Sequence, residues 1–218
     1  RRYRAAAIQM VSEPEIAPNL VAAERLIGEA ARAGARLVAL PEYFCMLGRH
    51  ETDKVKLRER EFDGPIQEFL ADAARRHGVW LVGGTLPLAC GDPLRVRSAC
   101  MVFDSEGRRV ARYDKIHLFG FTRGAESYDE SRTIEPGAEC VTLESPFGRL
   151  GLSICYDVRF PELYRSAGEI DLWFVPSAFT ATTGRAHWEP LLRARAIENL
   201  AYVVAPAHGG RHANGRQT

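Results

Sequence analysis

Short apolar runs alternate with amphipathic stretches from one end of the chain to the other, and this rhythm limits the fold more than any other feature. Tyr3–Val11 reads as a strand. Pro18 and Asn19 open a helix in which Leu20, Ala23, Ile27, Ala30 and Ala31 share one face, and Gly34 closes it. Leu37–Leu40 is a short buried strand ending at Pro41, and the charged stretch Glu51–Arg60 is expected to be a solvated helix. Pro65–His77 predicts another helix, with Pro in its first turn and Gly78 as its stop, and Val79–Gly83 a strand. Ser98–Phe103 and Arg109–Lys115 flank Asp104-Ser105-Glu106-Gly107 and predict a β-hairpin.

A Gly-rich connection, 120–139, is too long for a turn and is a candidate functional loop. A strand at 149–154, a short helix from Pro161, a strand Asp171–Val175, a helix near Ala186–Asn199 and a strand Ala201–Ala205 follow. Ala207–Arg216 reads as a surface loop. Helices recurring between strands predict a layered α/β fold, and the hairpin means that its sheets are not purely parallel. No repeat or linker divides the chain, so residues 1–218 are expected to form one domain.

Composition narrows the function classes. With 29 basic and 28 acidic side chains, net charge +1, nothing calls for nucleic acid or an anionic membrane surface as partner. A hydrophobic fraction of 46% excludes a disordered chain. No apolar run approaches the roughly 18 residues of a membrane span. The cysteines at 45, 90, 100, 140 and 155 are odd in number and lack C-x-x-C spacing. They predict neither a disulfide framework nor a zinc knuckle, and point to a reducing, cytoplasmic compartment.

Phosphate-binding glycine loops are absent, and Gly151-Leu152-Ser153-Ile154-Cys155 breaks the serine-hydrolase elbow by placing cysteine at its second glycine. His208 and His212 are four apart but lie in a glycine-rich loop without neighbouring carboxylates, a poor metal site. Three other residues stand at strand ends. Cys155 follows the apolar run Leu150–Ile154 and precedes a polar segment, where backbone N–H groups and a helix start favour a thiolate and a developing oxyanion. Glu42 follows Leu37–Pro41, a placement suited to a general base. Lys115 ends the hairpin strand between hydrophobic neighbours and could steady negative charge in a cleft. Singly, each also reads as ordinary: a buried core cysteine, a surface glutamate, a solvated edge lysine.

Taken together, Leu40-Pro41-Glu42-Tyr43-Phe44, Tyr113-Asp114-Lys115-Ile116-His117-Leu118 and Ile154-Cys155-Tyr156-Asp157-Val158-Arg159-Phe160-Pro161-Glu162 resemble the nitrilase superfamily of carbon–nitrogen hydrolases. The resemblance implies a four-layer α-β-β-α sandwich with two mixed sheets. It also implies a Glu42–Lys115–Cys155 triad, accompanied by a second glutamate, Glu130, and an oxyanion held by Lys115 and the N–H of Tyr156. Pro176–Trp188 and Arg193–Asn199 look like the amidases that act on deaminated glutathione or on α-keto acid ω-amides. In that branch Arg159 would hold a substrate carboxylate, with Phe179 and Thr183 as further substrate contacts. The loop Gly210-Arg211-His212 resembles the deaminated-glutathione members more closely, and Arg185 replaces a proline common in the branch.

The implied reaction cleaves a terminal carboxamide to acid and ammonia through a thioester, with water as the second substrate and no metal or organic cofactor. A homodimer or higher homo-oligomer is implied. Family members continue beyond this point, so the resemblance also implies that C-terminal strands are missing. Three alternatives stay open: another carbon–nitrogen substrate such as a nitrile, an N-carbamoyl compound or an aliphatic amide; a cysteine–histidine hydrolase using His117, His187 or His208; and a non-catalytic scaffold on the same fold.

Overall fold

The computed structural model describes residues 2–124 and 126–218. The first half runs β1 (Ala5–Ala7), α1 (Ile16–Arg32), β2 (Leu37–Ala39), α2 (Asp53–Lys56), α3 (Pro65–His77), β3 (Trp80–Val82), β4 (Leu86–Ala89), β5 (Val96–Phe103) and β6 (Arg109–Asp114). The second runs β7 (Gly120–Arg123), β8 (Glu126–Asp129), β9 (Thr142–Ser145), β10 (Gly148–Leu152), α4 (Pro161–Ser166), β11 (Leu172–Phe174), α5 (Ala181–Glu198) and β12 (Tyr202–Val204).

Two mixed sheets carry the fold. In the first, β1, β2 and β3 are parallel, while β5 runs antiparallel to β3, β4 and β6. In the second, β10, β11 and β12 are parallel and β9 closes one edge antiparallel. Because strand side chains alternate between faces, the first sheet divides its apolar residues cleanly. Val38, Leu40, Leu81, Ala99 and Met101 pack with Ala23 and Ile27 of α1 and Ile66 and Leu70 of α3. Leu37, Ala39, Val82, Cys100 and Val102 instead pack with Leu150, Leu152, Leu172 and Phe174 of the second sheet. On that sheet's far side Trp173 lies against Tyr164 of α4, ring centres 4.5 Å apart. The layers are thus helix, sheet, sheet, helix, as the resemblance implied.

Several local expectations change. The first strand is only three residues long, Ala5–Ala7, with one further bond to β2 from the Ile8 N–H to Ala39 O at 2.9 Å. The charged stretch 51–60 is no solvated helix: α2 is a single turn, and two of the charges, Lys54 and Glu59, are buried. Lys54 is buried on Glu51 and Thr133. The Glu59 carboxylate accepts the backbone N–H groups of Ile66 and Gln67 at the open start of α3, taking the place of a side-chain cap. β4 contains Pro87 and was not foreseen; it sits beside β5, where a residue without an N–H is tolerated on an outer strand. The 120–139 connection holds the β7–β8 ribbon and a 3₁₀ turn at Glu130–Arg132.

Candidate active site

Three sequence segments arrive at the same end of the two sheets. Beyond β2 the Leu40 N–H is still held by Val82 O, and the chain then turns sharply, Tyr43 taking φ 56°. That turn lies against Gly84, whose φ is +58°; a Cβ there would stand 2.1 Å from Pro41 O. The Tyr43 N–H donates to Thr85 Oγ1 at 2.8 Å, fixing the bend that presents Glu42. Lys115 follows β6, its N–H bonded to Ser98 O at 3.0 Å. Cys155 follows β10 with φ 47°, its N–H bonded to Pro176 O at 2.9 Å, and heads a 3₁₀ helix over Cys155–Arg159. Left-handed backbone at a non-glycine residue is costly and survives only where surrounding contacts impose it.

Asp157 supplies those contacts. Its Oδ2 accepts from Ile154 N–H at 2.8 Å and from Tyr113 O–H at 2.7 Å, and its Oδ1 accepts from His117 N–H at 2.9 Å. One buried carboxylate therefore ties the cysteine turn to the strand that delivers Lys115. Sequence reasoning missed this role, although an acidic residue in the first turn after a strand was a legible capping signal.

The side chains then converge. Lys115 Nζ lies 2.7 Å from Glu42 Oε1 and 2.8 Å from Glu130 Oε2. Glu42 Oε2 accepts the Ala178 N–H at 2.9 Å. Glu130 accepts the Tyr43 hydroxyl at 3.0 Å and the Phe119 N–H at 2.8 Å. Glu42, Lys115, Glu130 and Cys155 are all buried. Burial works against charge on Lys115, but the Glu130 and Glu42 carboxylates outweigh it and raise its pKa. Burial likewise opposes the Glu130 anion, yet Lys115 and the Phe119 N–H hold its pKa below the usual carboxylate value. For Cys155 burial and the Glu42 charge push the thiol up, and Lys115 only partly offsets them. Burial and the Glu42 charge thus work against the thiolate that the helix start by itself would favour. A thiol beside a buried carboxylate has an adjacent base to take its proton as it attacks.

Cys155, Tyr156, Phe179, Thr183 and Arg216 share the lining of a small cleft. The Tyr156 N–H belongs to the open first turn of the 3₁₀ helix, where N–H groups lack intrahelical acceptors. Arg159 lies outside that lining, its guanidinium carbon 5.4 Å from the Phe179 ring centre and 5.6 Å from that of Tyr156. Among the described residues it has no carboxylate partner; its Nη atoms lie 3.3 Å from His187 Nδ1. His187 lies in α5 and is exposed.

The other histidines are engaged elsewhere. His117 stacks on Phe160 at 3.7 Å, its Nδ1 2.7 Å from Asp157. His208 is buried beneath the Glu42 turn, Nε2 2.7 Å from Glu42 O and Nδ1 2.9 Å from Met10 O. An imidazolium would satisfy both carbonyls, but burial pushes the His208 pKa down to about 4, so the neutral ring donates to one of them. The 207–216 segment is thus no simple surface loop, since His208 and His212 are buried in it.

Residues 4–218 match the family described as carbon-nitrogen hydrolase. The deaminated glutathione amidase of Synechocystis sp. is 45% identical over 99% of this chain and 81% of its own length. An omega-amidase of Xenopus tropicalis is 37% identical over 93% of this chain and 73% of its own. The crystal structure of the Caenorhabditis elegans NitFhit protein superposes with a TM-score of 0.88 at 40% identity, covering 98% of this chain and 53% of that one. With its two-sheet sandwich, its convergent glutamates, lysine and cysteine, and this match over residues 4–218, the chain belongs to the carbon–nitrogen hydrolase family, within the amidase branch of the nitrilase superfamily.

Proposed function

We propose that Cys155 attacks the carbonyl of a small, carboxylate-bearing amide while Glu42 takes the thiol proton. The observation that carries this reading is the Lys115 ammonium locked between Glu42 and Glu130 at 2.7 and 2.8 Å, beside a buried thiol. As the sulfur–carbon bond forms, the carbonyl oxygen gains charge and is held by Lys115 and the Tyr156 N–H. One such donor is worth about 3–4 kcal/mol in the transition state. Glu42 then passes its proton to the departing amine as the carbon–nitrogen bond breaks, leaving a thioester. Water, deprotonated by Glu42, attacks the thioester; the acid is released and the proton returns to sulfur. Glu130 positions Lys115 and Tyr43 and stays ionised throughout.

Arg159, free of any acid partner, would pair bidentately with a substrate carboxylate, with Phe179 and Thr183 shaping the acyl pocket. The names of the similar amidases support deaminated glutathione or an α-keto acid ω-amide as substrate. The two differ in their second product. An ω-amide releases ammonia, whereas deaminated glutathione carries its scissile amide on a dipeptide and releases that amine. Product analysis with α-ketoglutaramate and deaminated glutathione, wild type against Cys155→Ala, tests the reading. Turnover of neither by the wild type, or retention in the variant, would overturn it.

The same reading takes residues 1–218 as one working domain, since the site draws on both sheets. It takes the exposed Ile197, Leu200 and Tyr202 as supporting a homo-oligomer, to be checked by light scattering. Five cysteines without a disulfide among the described residues favour a cytoplasmic setting. Among those residues no helix is long and apolar enough to cross a membrane.

A further inference from the structure

His208 joins the two sheets beyond their strand ends. Its N–H donates to Ser177 O at 3.1 Å and the Ser177 N–H to Pro206 O at 2.9 Å, so residues 206–208 run alongside the extension that leaves β11. That extension grips both Cys155 and Glu42. Pro176 O accepts the Cys155 N–H at 2.9 Å, and the Ala178 N–H donates to Glu42 Oε2 at 2.9 Å. On its other side His208 pairs with Met10, beyond β1, and its ring reaches under the bend at Glu42. Each ring nitrogen faces a carbonyl, Nε2 at 2.7 Å from Glu42 O and Nδ1 at 2.9 Å from Met10 O, and the neutral ring has one proton for the two. The two carbonyls are not equivalent. Met10 O already accepts the Gly209 N–H at 3.3 Å, whereas no other donor among the described residues reaches Glu42 O. A proton on Nδ1 would leave that buried carbonyl with no partner, so the proton belongs on Nε2.

We infer that His208 is a positioning residue: its Nε2–H holds the Glu42 carbonyl and so keeps the base in register with the Cys155 thiol. The inference rests on the roles proposed for Glu42 and Cys155, and adds what aims one at the other. The peptide between Glu42 and Tyr43 is held at both edges, its N–H by Thr85 Oγ1 at 2.8 Å and its C=O by His208. That double hold matters because Tyr43 takes φ 56°, a conformation that persists only where the surroundings impose it. Glu42 is likewise fixed at both ends, its carboxylate by Ala178 and its carbonyl by His208, and these two come from one pair of adjoining segments. The Cys155 N–H is anchored on the same pair, so base and nucleophile share one frame. Losing the His208 donor releases the bend from that frame while leaving the Glu42 carboxylate and the substrate contacts chemically intact.

Two amide side chains separate the ring nitrogens in a test. The glutamine amide reaches the position of Nε2, and the shorter asparagine amide only that of Nδ1. On whichever of α-ketoglutaramate and deaminated glutathione is turned over, His208→Asn is expected to lower kcat by roughly 10- to 100-fold with KM within about threefold of wild type. His208→Gln is expected to restore kcat to within about threefold of wild type. Urea midpoints are measured on the same proteins. Equal kcat losses in the two variants, or losses that follow the midpoints, would overturn the proposal in favour of a structural role, and full activity in His208→Asn would overturn it outright. A long-range ¹⁵N–¹H spectrum of the wild type, with His208 assigned by the signals missing from His208→Gln, reads the ring without turnover. The Nε2–H tautomer is expected, and the Nδ1–H tautomer would overturn the proposal even if the amidase reading stands. Normal turnover by Glu42→Gln would instead overturn the acid–base reading, and the purpose given to His208 with it.

Discussion

Lys115 Nζ and Glu42 Oε1 stand 2.7 Å apart with neither side chain open to solvent, although they come from strand ends 73 residues apart in the chain. A buried ion pair of this kind is held by its neighbours rather than by its own attraction, because desolvating two charges offsets most of their Coulomb gain. Glu130 and the Ala178 N–H complete the pairing, leaving one ammonium against two carboxylates.

That charge count predicts the behaviour of the thiol. Glu42→Gln should abolish amide turnover, because the proton acceptor is gone. It should also lower the pH at which Cys155 is alkylated by iodoacetamide, because an anion that pushes the thiol up has been removed. The pH–rate profile of alkylation in the two proteins checks both halves. An unchanged or raised midpoint would mean that Glu42 does not face the sulfur.

Removing the cation should cost more than removing an anion. Lys115→Met leaves Glu42 and Glu130 buried without their partner, and is expected to lower stability by about 3–5 kcal/mol as well as activity. Urea denaturation midpoints measure the first effect. A variant as stable as wild type would show that the carboxylates are solvated in the folded protein.

Stability should also vary with pH in a defined way. Glu130 has a folded pKa below 4.5, so its contribution is present above that value and is lost as pH falls through the folded one. Lys115 has a folded pKa above 10.5, so its contribution is intact below that value and is lost as pH rises through the folded one. A plateau between these limits is expected, and Glu130→Gln should flatten the acid side and, by removing one of the two anions that raise Lys115, bring the alkaline fall to lower pH. Thermal midpoints at graded pH provide the test.

The bend that presents Glu42 depends on the absence of a side chain at Gly84. Gly84→Ala places a methyl 2.1 Å from Pro41 O in left-handed backbone, so it should displace the peptide preceding Glu42. A loss of about 1–3 kcal/mol in stability with a larger proportional loss in kcat is expected. Differential scanning calorimetry and steady-state kinetics on the same preparation separate the two.

Much of this arrangement was legible in the sequence where one residue dominates its own surroundings. Pro65 and Gly78 delimit α3 because each fixes local backbone, and the strand-end positions of Glu42, Lys115 and Cys155 follow from the apolar runs before them. Features made by distant partners were not legible. The 51–60 stretch looked solvated because its charges could not be matched in advance to Thr133 or to the start of α3. Asp157 bolts the cysteine turn to Tyr113 and His117 across about 40 residues of chain, and His208 lies under Glu42 from 166 residues away. Arg216 was set aside as surface loop, because only the folded chain brings it to the lining shared with Cys155.

Arg159 gives a prediction on the acyl side. Arg159→Lys keeps the charge but loses the planar fork, so KM for carboxylate-bearing amides should rise roughly tenfold or more while a neutral aliphatic amide is turned over as before. Steady-state kinetics on both substrates check it; equal effects on the two would assign Arg159 to folding rather than recognition.

The most direct test of the central claim is intact-protein mass spectrometry of wild type mixed with α-ketoglutaramate and acid-quenched within the first turnover. The account predicts a transient adduct with the mass of the product acid less water, carried on the Cys155 peptide, cleaved by hydroxylamine and absent from Cys155→Ala. Steady turnover with no adduct at any time point, or an adduct on another residue, would contradict it.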